Sequence, residues 1–196
     1  GKTAAFVLPA LNRVLAARGD ASKRRDNKTV HGPRVLVLTP TRELAMQVAK
    51  ATDSYGRHIP GLRVATIVGG VPYHAQLKAL RGPLDVLIAT PGRLMDHMAN
   101  GKAVLANVEL FVLDEADRMF DMGFISDLRF LLRRLPPHDR RQSFLFSATL
   151  SAAVVRLAGE FTRDAQRVDV SPADPVAPTI THRLHAVDLD RKRALL

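Results

Sequence analysis

The sequence predicts an α/β domain built around an open parallel β-sheet with helices on both faces. Short apolar runs alternate with stretches whose apolar residues recur at helical spacing, which is typical of βαβ units. The runs are almost continuously hydrophobic, as strands buried on both faces must be. The hydrophobic fraction of 46% and the charged fraction of 24% are ordinary for a globular domain and exclude a disordered chain.

Five predicted strands follow one another, with helices before and between them. The strands are Arg34–Thr39, Arg63–Val68, Asp85–Ala89, Leu110–Leu113 and Ser143–Phe146. The helices are Ala4–Leu15, Thr41–Tyr55, Tyr73–Leu80, Arg93–Met98, Ile125–Leu135 and Ala152–Phe161. Parallel strands end at the same edge of their sheet, and open α/β sheets bind ligands at the carboxyl edge. Functional residues are therefore expected directly after the strands.

The domain organisation follows from composition. Residues 1–170 carry the strand–helix repetition and predict one domain. Residues 171–180 contain three prolines and predict a linker, because proline disfavours helices and central strands. Residues 181–196 would begin a second, incomplete unit. We therefore expect the 196-residue chain to be a piece of a longer protein.

The charge is strongly positive and unevenly distributed. The chain has 29 Lys+Arg against 19 Asp+Glu, a formal net charge of +10. Most of the excess lies in Asn12–Arg34, with seven cations against two anions, and in Arg129–Arg141, with five against one. Such clusters suit a polyanion such as nucleic acid, although net charge alone can equally reflect solubility.

Several classes of site and protein are excluded. The chain has no cysteine, which rules out disulfides, thiolate zinc sites, iron–sulfur clusters and a cysteine nucleophile. The longest uncharged stretches, Val64–Leu77 and Gln142–Val155, are shorter than the roughly 18 apolar residues of a membrane helix. We therefore expect a cytoplasmic protein with no membrane partner.

The first three residues, Gly1-Lys2-Thr3, precede a predicted helix. They match the end of a phosphate-binding loop, G-x-x-x-x-G-K-[ST], in which amides and the lysine hold phosphates and the Thr hydroxyl holds Mg²⁺. A tripeptide also matches by chance, so a second signal is needed.

An acidic cluster supplies that signal directly after the strand Leu110–Leu113. Asp114, Glu115 and Asp117 lie at a strand end, where mutual repulsion of carboxylates calls for a cation. We expect Asp114 to hold Mg²⁺, partly through water, and Glu115 to orient or deprotonate an attacking water. The alternative is a solvated helix start, where the helix dipole favours acidic residues.

Asp114-Glu115-Ala116-Asp117 is the motif that names the DEAD-box RNA helicases, and further motifs follow in that family's order. The segments that resemble them are Pro40–Ala45 with Gln47 (PTRELA), Gly69-Gly70 (the glycine doublet), Thr90–Arg93 (TPGR) and Ser147–Thr149 (SAT). Over almost its whole length the chain resembles the amino-terminal RecA-like P-loop NTPase lobe of a DEAD-box ATP-dependent RNA helicase. Arg118–Phe124 is most similar to the bacterial, RhlE-like branch.

The resemblance implies ATP and Mg²⁺ as ligands, with RNA-stimulated ATP hydrolysis and local duplex unwinding as the activity. The nucleotide-binding residues would be Gly1, Lys2, Thr3, Asp114 and Glu115. Among them, Lys2, Asp114 and Glu115 would be catalytic, and Thr3 and Asp114 would hold the metal. The residues that couple nucleotide state to RNA binding would be Asp117, Ser147 and Thr149.

The resemblance also implies an RNA-binding surface at the strand ends. Its residues would be Pro40, Thr41, Arg42, Gly69, Gly70, Thr90, Pro91, Gly92 and Arg93. Glycine amides, hydroxyls and guanidinium groups suit a sugar–phosphate backbone without reading its bases. Contacts to the 2′-OH would favour RNA over DNA. Taken singly, each residue fits an ordinary turn, cap or ion pair equally well.

Several parts of the family pattern would lie outside this sequence. The adenine-reading segment, the earlier glycines of the phosphate loop and the strand that feeds it would precede Gly1. The second RecA-like lobe, with its arginine finger, would follow Leu196. We expect the missing strand to leave two central strands without a partner, and the fragment to hydrolyse ATP poorly. Two alternatives stay open, namely a non-catalytic RNA-binding clamp and a DNA-directed P-loop motor.

Overall fold

The computed structural model describes residues 1–25 and 32–170. Gly1–Ala165 form one compact unit, and the residues from Gln166 onward belong to a second unit, of which 166–170 are described. The predicted linker at 171–180 and the predicted start of a further lobe at 181–196 lie outside the described residues.

One parallel sheet organises the first unit. Its strands are β1 (Val35–Leu38), β2 (Val64–Ile67), β3 (Val86–Ala89), β4 (Leu110–Leu113) and β5 (Gln142–Leu145). They pair in the order β2-β3-β1-β4-β5, and every pair is parallel. The predicted strands and the predicted fold class are confirmed.

Seven α-helices are found in the described part of the chain. They are α1 (Lys2–Gly19), α2 (Arg42–Tyr55), α3 (Tyr73–Leu80), α4 (Pro91–Ala99), α5 (Ala116–Asp121), α6 (Ile125–Leu132) and α7 (Ala152–Phe161). Six correspond to predicted helices. The short α5 was not predicted, since its six residues are too few to show a helical pattern. A 3-10 helix covers Ala21–Lys23.

The helices cover both faces of the sheet. On one face, α1 and α2 pack against the odd-numbered positions of β1, such as Val35 and Val37. On the other face, α3 to α7 pack against the alternate positions, such as Leu36 and Leu38. Each buried aliphatic or phenyl side chain contributes about 1.5–3 kcal/mol. The two cores therefore hold the strand ends, and the loops that follow them, in fixed positions.

The sheet of described strands is continuous. β4 pairs directly with β5 over Leu110–Leu113, and β1 pairs on both sides with β3 and β4. The outermost described strands are β2 and β5. The strand expected to feed the phosphate-binding loop would precede Gly1, so its place in the sheet stays a prediction.

Candidate functional site

The amino terminus of α1 lies beside the carboxyl end of β4. Gly1 is the N-cap of α1, and no side chain caps the helix. The amides of its first turn are therefore available to an anionic ligand, toward which the helix dipole is also favourable. Lys2, the first residue of the helix, keeps a side chain that is 43% exposed.

The two segments expected to hold nucleotide meet through Lys2. Its ammonium lies 3.0 Å from Asp114 Oδ1 and 3.6 Å from Glu115 Oε1. Asp114 extends the ladder of β4 by one step, because its amide donates to the Leu38 carbonyl. This places the carboxylate in a buried position at the sheet edge. Burial raises the pKa of Asp114, and the bond and charge of Lys2 oppose that rise.

Glu115 has a strained backbone. Its φ of 54° and ψ of 54° are left-handed, a conformation that costs about 1–3 kcal/mol for a residue with a side chain. The following amide, of Ala116, donates to the Phe146 carbonyl after β5 and helps to hold the turn. The Glu115 carboxylate lies between Lys2 and Arg118, with Arg118 Nη1 at 3.5 Å. Backbone strain is often found at functional residues, and Glu115 is the residue expected to be catalytic.

The donor set at this edge fits a magnesium ion. Asp114 Oδ1 is buried and has the Lys2 ammonium as its ion-pair partner at 3.0 Å. Thr3 adds a half-buried hydroxyl group in the first turn of α1. The described residues contain no cluster of three or more metal-ligating side chains. Magnesium in nucleotide sites uses one or two protein ligands beside water and phosphate oxygens, so this small set is sufficient.

Asp117, Ser147 and Thr149 form a connected hydrogen-bond network. The amide and hydroxyl of Thr149 donate to Asp117 Oδ2 at 3.1 and 3.0 Å. The Asp117 amide donates to Ser147 Oγ at 3.2 Å, and that hydroxyl donates to the Thr149 carbonyl at 2.6 Å. Burial alone would raise the pKa of Asp117, but bonds from Thr149 and the Arg118 amide outweigh it and lower the pKa. The three predicted coupling residues therefore join the ends of β4 and β5.

The predicted RNA-contacting residues follow the three neighbouring strands β2, β3 and β1. Arg42 Nη1 donates to the Gly70 carbonyl at 3.4 Å, and Arg93 Nη1 donates to the Val71 carbonyl at 2.7 Å. Gly70 has a φ of +74°, which a residue with a side chain rarely adopts. Two guanidinium groups thus connect the helices α2 and α4 to the loop that contains the glycine doublet. Arg93 also pairs with Asp96 on its own helix, at 3.8 Å.

Not every predicted RNA-contacting residue is accessible. Pro40 and Pro91 are buried, so their role is limited to the shape of the loops. Thr41 caps α2 by accepting from the Leu44 amide. Gly69 and Gly92 are exposed, and a Cβ placed on either would meet no protein atom within 4 Å. The fold therefore does not require glycine for space at these two positions.

Two residues at this edge were missed by the sequence analysis. Gln76 Nε2 donates to the carbonyl of Val68, directly before the glycine doublet, at 2.7 Å, and Gln76 Oε1 lies 2.9 Å from His97 Nε2. His97 is fully buried and stacks on Tyr73 at 4.1 Å between ring centroids. Burial lowers the pKa of His97, and the charge of Arg93 lowers it further. A Gln and a His 21 residues apart show no pattern that could have revealed this support.

Comparisons with known proteins agree with this geometry. The DEAD/DEAH box helicase family model matches residues 1–157. The whole chain is 44% identical to an "ATP-dependent RNA helicase RhlB" of Xanthomonas oryzae pv. oryzae, of which it covers 33%, and 38% identical to the RhlB of Shewanella piezotolerans, of which it covers 44%. The chain therefore spans a third to a half of the length of these relatives. These names leave the narrower RhlE-like resemblance a prediction.

Solved structures show the same likeness. A DEAD box protein from the hyperthermophile Methanococcus jannaschii superposes with a TM-score of 0.69 at 36% identity, covering 84% of this chain and 40% of that one. The yeast DEAD-box splicing factor Prp28 superposes with a TM-score of 0.70 at 33% identity, covering 83% and 37%. No helix in the described ranges is long and apolar enough to cross a membrane. Motif order, site geometry and these matches together show that the chain belongs to the DEAD/DEAH box helicase family and has the RecA-like fold.

Proposed function

We propose that this chain is the ATP-binding, amino-terminal RecA-like lobe of an ATP-dependent RNA helicase. The observation that carries the proposal is the contact of Lys2, at the start of α1, with Asp114 and Glu115 at the end of β4. A helix start, a lysine and two carboxylates are the parts that phosphoryl transfer from a nucleotide to water needs. Most of the rate enhancement in such sites comes from positioning and electrostatic stabilisation.

Each residue in this site has a distinct task. The free amides at the start of α1 receive phosphate oxygens, and the Lys2 ammonium moves from the carboxylates to the terminal phosphate. Asp114 and Thr3 would hold Mg²⁺, which when bound neutralises phosphate charge. Glu115, released from Lys2 but still beside Arg118, orients the attacking water and accepts its proton. The left-handed turn fixes the direction of that carboxylate.

RNA would lie along the loops after β1, β2 and β3. Arg42 and Arg93 bring positive charge there, and the glycine doublet exposes amides to a sugar–phosphate backbone. The network of Asp117, Ser147 and Thr149 links the nucleotide side of the sheet to the start of α7. It would transmit nucleotide state to a second RecA-like lobe of the same protein, which closes over RNA and separates its strands. A cytoplasmic location belongs to the same proposal.

The test is RNA-stimulated phosphate release by the full-length protein carrying Glu115→Gln. Loss of a positioned general base lowers kcat by about 10²–10⁴-fold, and we expect ATP and RNA binding to be retained. Asp53→Asn is a matched control, since Asp53 is exposed on α2 far along the helix from the site. Unchanged turnover in Glu115→Gln would contradict the catalytic assignment of Glu115. Absence of RNA-stimulated phosphate release by the unmodified full-length protein would favour the non-catalytic RNA-binding clamp.

A second arm distinguishes RNA from DNA. Single strands of one sequence are compared as RNA and as DNA in the same phosphate-release assay. We expect stimulation by RNA only, because backbone contacts that include the 2′-OH discriminate against DNA. Equal stimulation by both strands would favour the DNA-directed P-loop motor.

A further inference from the structure

A basic cavity lies at the opposite edge of the sheet from the nucleotide site. Its volume is about 550 Å³, and six cationic side chains line it: Arg13, Lys23, Arg24, Arg25, Arg34 and Arg140. Among the described residues that line it, Glu109 is the one carboxylate. Arg34 and Glu109 directly precede β1 and β4. At a rise of about 3.3 Å per residue, the cavity is roughly 16 Å from the Asp114 end of β4.

The cavity brings together parts of the two basic segments found in the sequence. Five of its cations come from Asn12–Arg34, and Arg140 comes from Arg129–Arg141. Other arginines of the second segment are engaged in the fold. Arg129 pairs with Glu160 at 2.8 Å, and Arg141 donates to the carbonyls of Pro136 and Phe161. Of the two basic segments that suit a polyanion, we therefore consider only the residues that reach this cavity.

The single carboxylate is already shared by two cations. Glu109 pairs with Arg34 at 3.3 Å and with Lys23 at 3.3 Å. Arg34 is 6% exposed and also donates to the Lys23 carbonyl at 2.7 Å, so it is a buried part of the wall. Arg25 donates to the Leu84 carbonyl. Burial first and the charge of Arg34 second lower the pKa of Arg25 to about 10.

The remaining cations have no counter-charge in the described part of the chain. Arg13 donates only to the neutral amide oxygen of Gln142, at 3.0 Å. Arg24 and Arg140 are exposed at the rim, and neither makes a salt bridge with another described residue. A ligand with several negative charges would therefore find three guanidinium groups around a wall that is itself cationic.

The lining favours a phosphate backbone over an acidic protein segment. The described part of the lining has no aromatic side chain, and its apolar members are Ala106, Val108 and Pro136. Protein partners are held mainly by aromatic or large aliphatic anchors in well-packed pockets, and this lining offers none. Guanidinium forks match phosphate oxygens in pairs, so charge alone can hold a nucleic acid here.

We propose that the basic cavity is a second RNA-binding site, which holds the sugar–phosphate backbone at the amino-terminal edge of the sheet. This inference rests on the proposed function, because it takes RNA as the partner. RNA held there lies away from the strand-end loops and the ATP site. It keeps a long substrate near the enzyme and raises its effective concentration at the strand-end loops. The site therefore affects affinity for long RNA and its salt dependence, and leaves turnover at saturating RNA unchanged.

The test uses the full-length protein with Arg24→Gln and Arg140→Gln combined. Both side chains are exposed and make no salt bridge with another described residue, so we expect the double variant to keep the fold. The matched control combines Arg133→Gln and Arg156→Gln, which removes the same charge from exposed positions outside the cavity. Equilibrium binding is measured with a single-stranded RNA long enough to reach both edges and with a short one that fills only the strand-end loops.

We expect affinity for the long RNA to fall about tenfold at low salt, and the slope of log K against log salt to become shallower by about 1.4, which is two single-strand phosphate contacts. Binding of the short RNA is unchanged. If the cavity variant and the control bind long RNA equally, the proposal is overturned. In a competition assay, polyglutamate or polyphosphate displaces the long RNA while the short RNA occupies the strand-end loops. Equal displacement by the two polyanions also overturns the proposal, since the cavity then suits an acidic protein segment.

The readout separates this proposal from the proposed function. Binding is measured without ATP turnover, so an unchanged rate in Glu115→Gln leaves the cavity result intact. Conversely, equal long-RNA binding by both double variants leaves the ATPase assignment intact.

Discussion

The two edges of the sheet carry opposite kinds of electrostatics. At the carboxyl edge, Lys2 contacts Asp114 and Glu115, and a bound nucleotide can take over those contacts. At the amino edge, Arg34 is fixed between Glu109 and the Lys23 carbonyl, while the cavity residues Arg13, Arg24 and Arg140 have no carboxylate partner among the described residues. The ion pairs at the carboxyl edge can therefore be replaced by contacts to a nucleotide, whereas the positive charge at the amino edge attracts anions at all times.

The residues of the carboxyl edge are also easier to predict from the sequence than those of the amino edge. Most of the predicted residues at the carboxyl edge lie just after strands, so they belong to short contiguous motifs. The basic cavity collects Arg13, Arg34 and Arg140 from distant segments, and no spacing marks them as neighbours. Only the strand order places them together.

The largest expected effect is a loss of ATP hydrolysis after a substitution at the carboxyl edge. Lys2→Met removes the cation that meets the terminal phosphate, and we expect kcat/KM for ATP hydrolysis by the full-length protein to fall by about 10²–10³-fold, the usual loss for one transition-state donor. Lys50→Met, at an exposed position of α2, should leave the rate unchanged. A loss of less than threefold in Lys2→Met would show that Lys2 serves only as the ion-pair partner of Asp114.

The next effect concerns the amino edge and is one of stability. Arg34→Met leaves Glu109 with only Lys23 and opens a buried wall, and removal of one partner of a buried ion pair costs about 3–5 kcal/mol. Because Glu109 keeps Lys23 and some contact with water, we expect the lower end of that range in urea unfolding. Arg156→Met, on the exposed side of α7, should change stability by less than about 0.5 kcal/mol. If Arg34→Met is as stable as the unmodified protein, the ion pair of Arg34 with Glu109 does not contribute to stability.

The sequence predicted much of the fold because its signals are local. Strands such as Leu110–Leu113 are short apolar runs, and the helices have clear apolar spacing, so existence and type were correct for every predicted element that the structure describes. The motifs also predicted that Asp114, Glu115, Ser147 and Thr149 follow strands, and the structure has them just after β4 and β5. Their roles stay predictions. The strand order β2-β3-β1-β4-β5 was not predicted, because it depends on which strands pair in space. Sequence order does not determine that pairing.

The features that were missed depend on backbone geometry or burial. The left-handed conformation of Glu115 arises from the turn between β4 and α5 and the bond from Ala116 to Phe146. The support of the glycine doublet by Gln76 and His97 requires two helices to pack side by side. Neither has a residue pattern of its own, because polar residues in amphipathic helices are usually exposed.

The smallest expected effect separates RNA binding at the carboxyl edge from folding. Gly92→Leu places a side chain on an exposed surface in the first turn of α4, where a Cβ meets no protein atom within 4 Å. A helix tolerates leucine better than glycine by up to about 1 kcal/mol, so the fold is retained or stabilised. The new side chain would obstruct a phosphate backbone approaching the start of α4, and the short RNA should bind about tenfold more weakly, as expected for one lost charge-assisted contact. Gly159→Leu makes the same change at an equally open position of α7 and should stabilise the fold without changing RNA affinity. If both variants bind the short RNA as tightly as the unmodified protein does, RNA does not approach α4. The assignment of the strand-end loops as the RNA-binding surface would then be wrong.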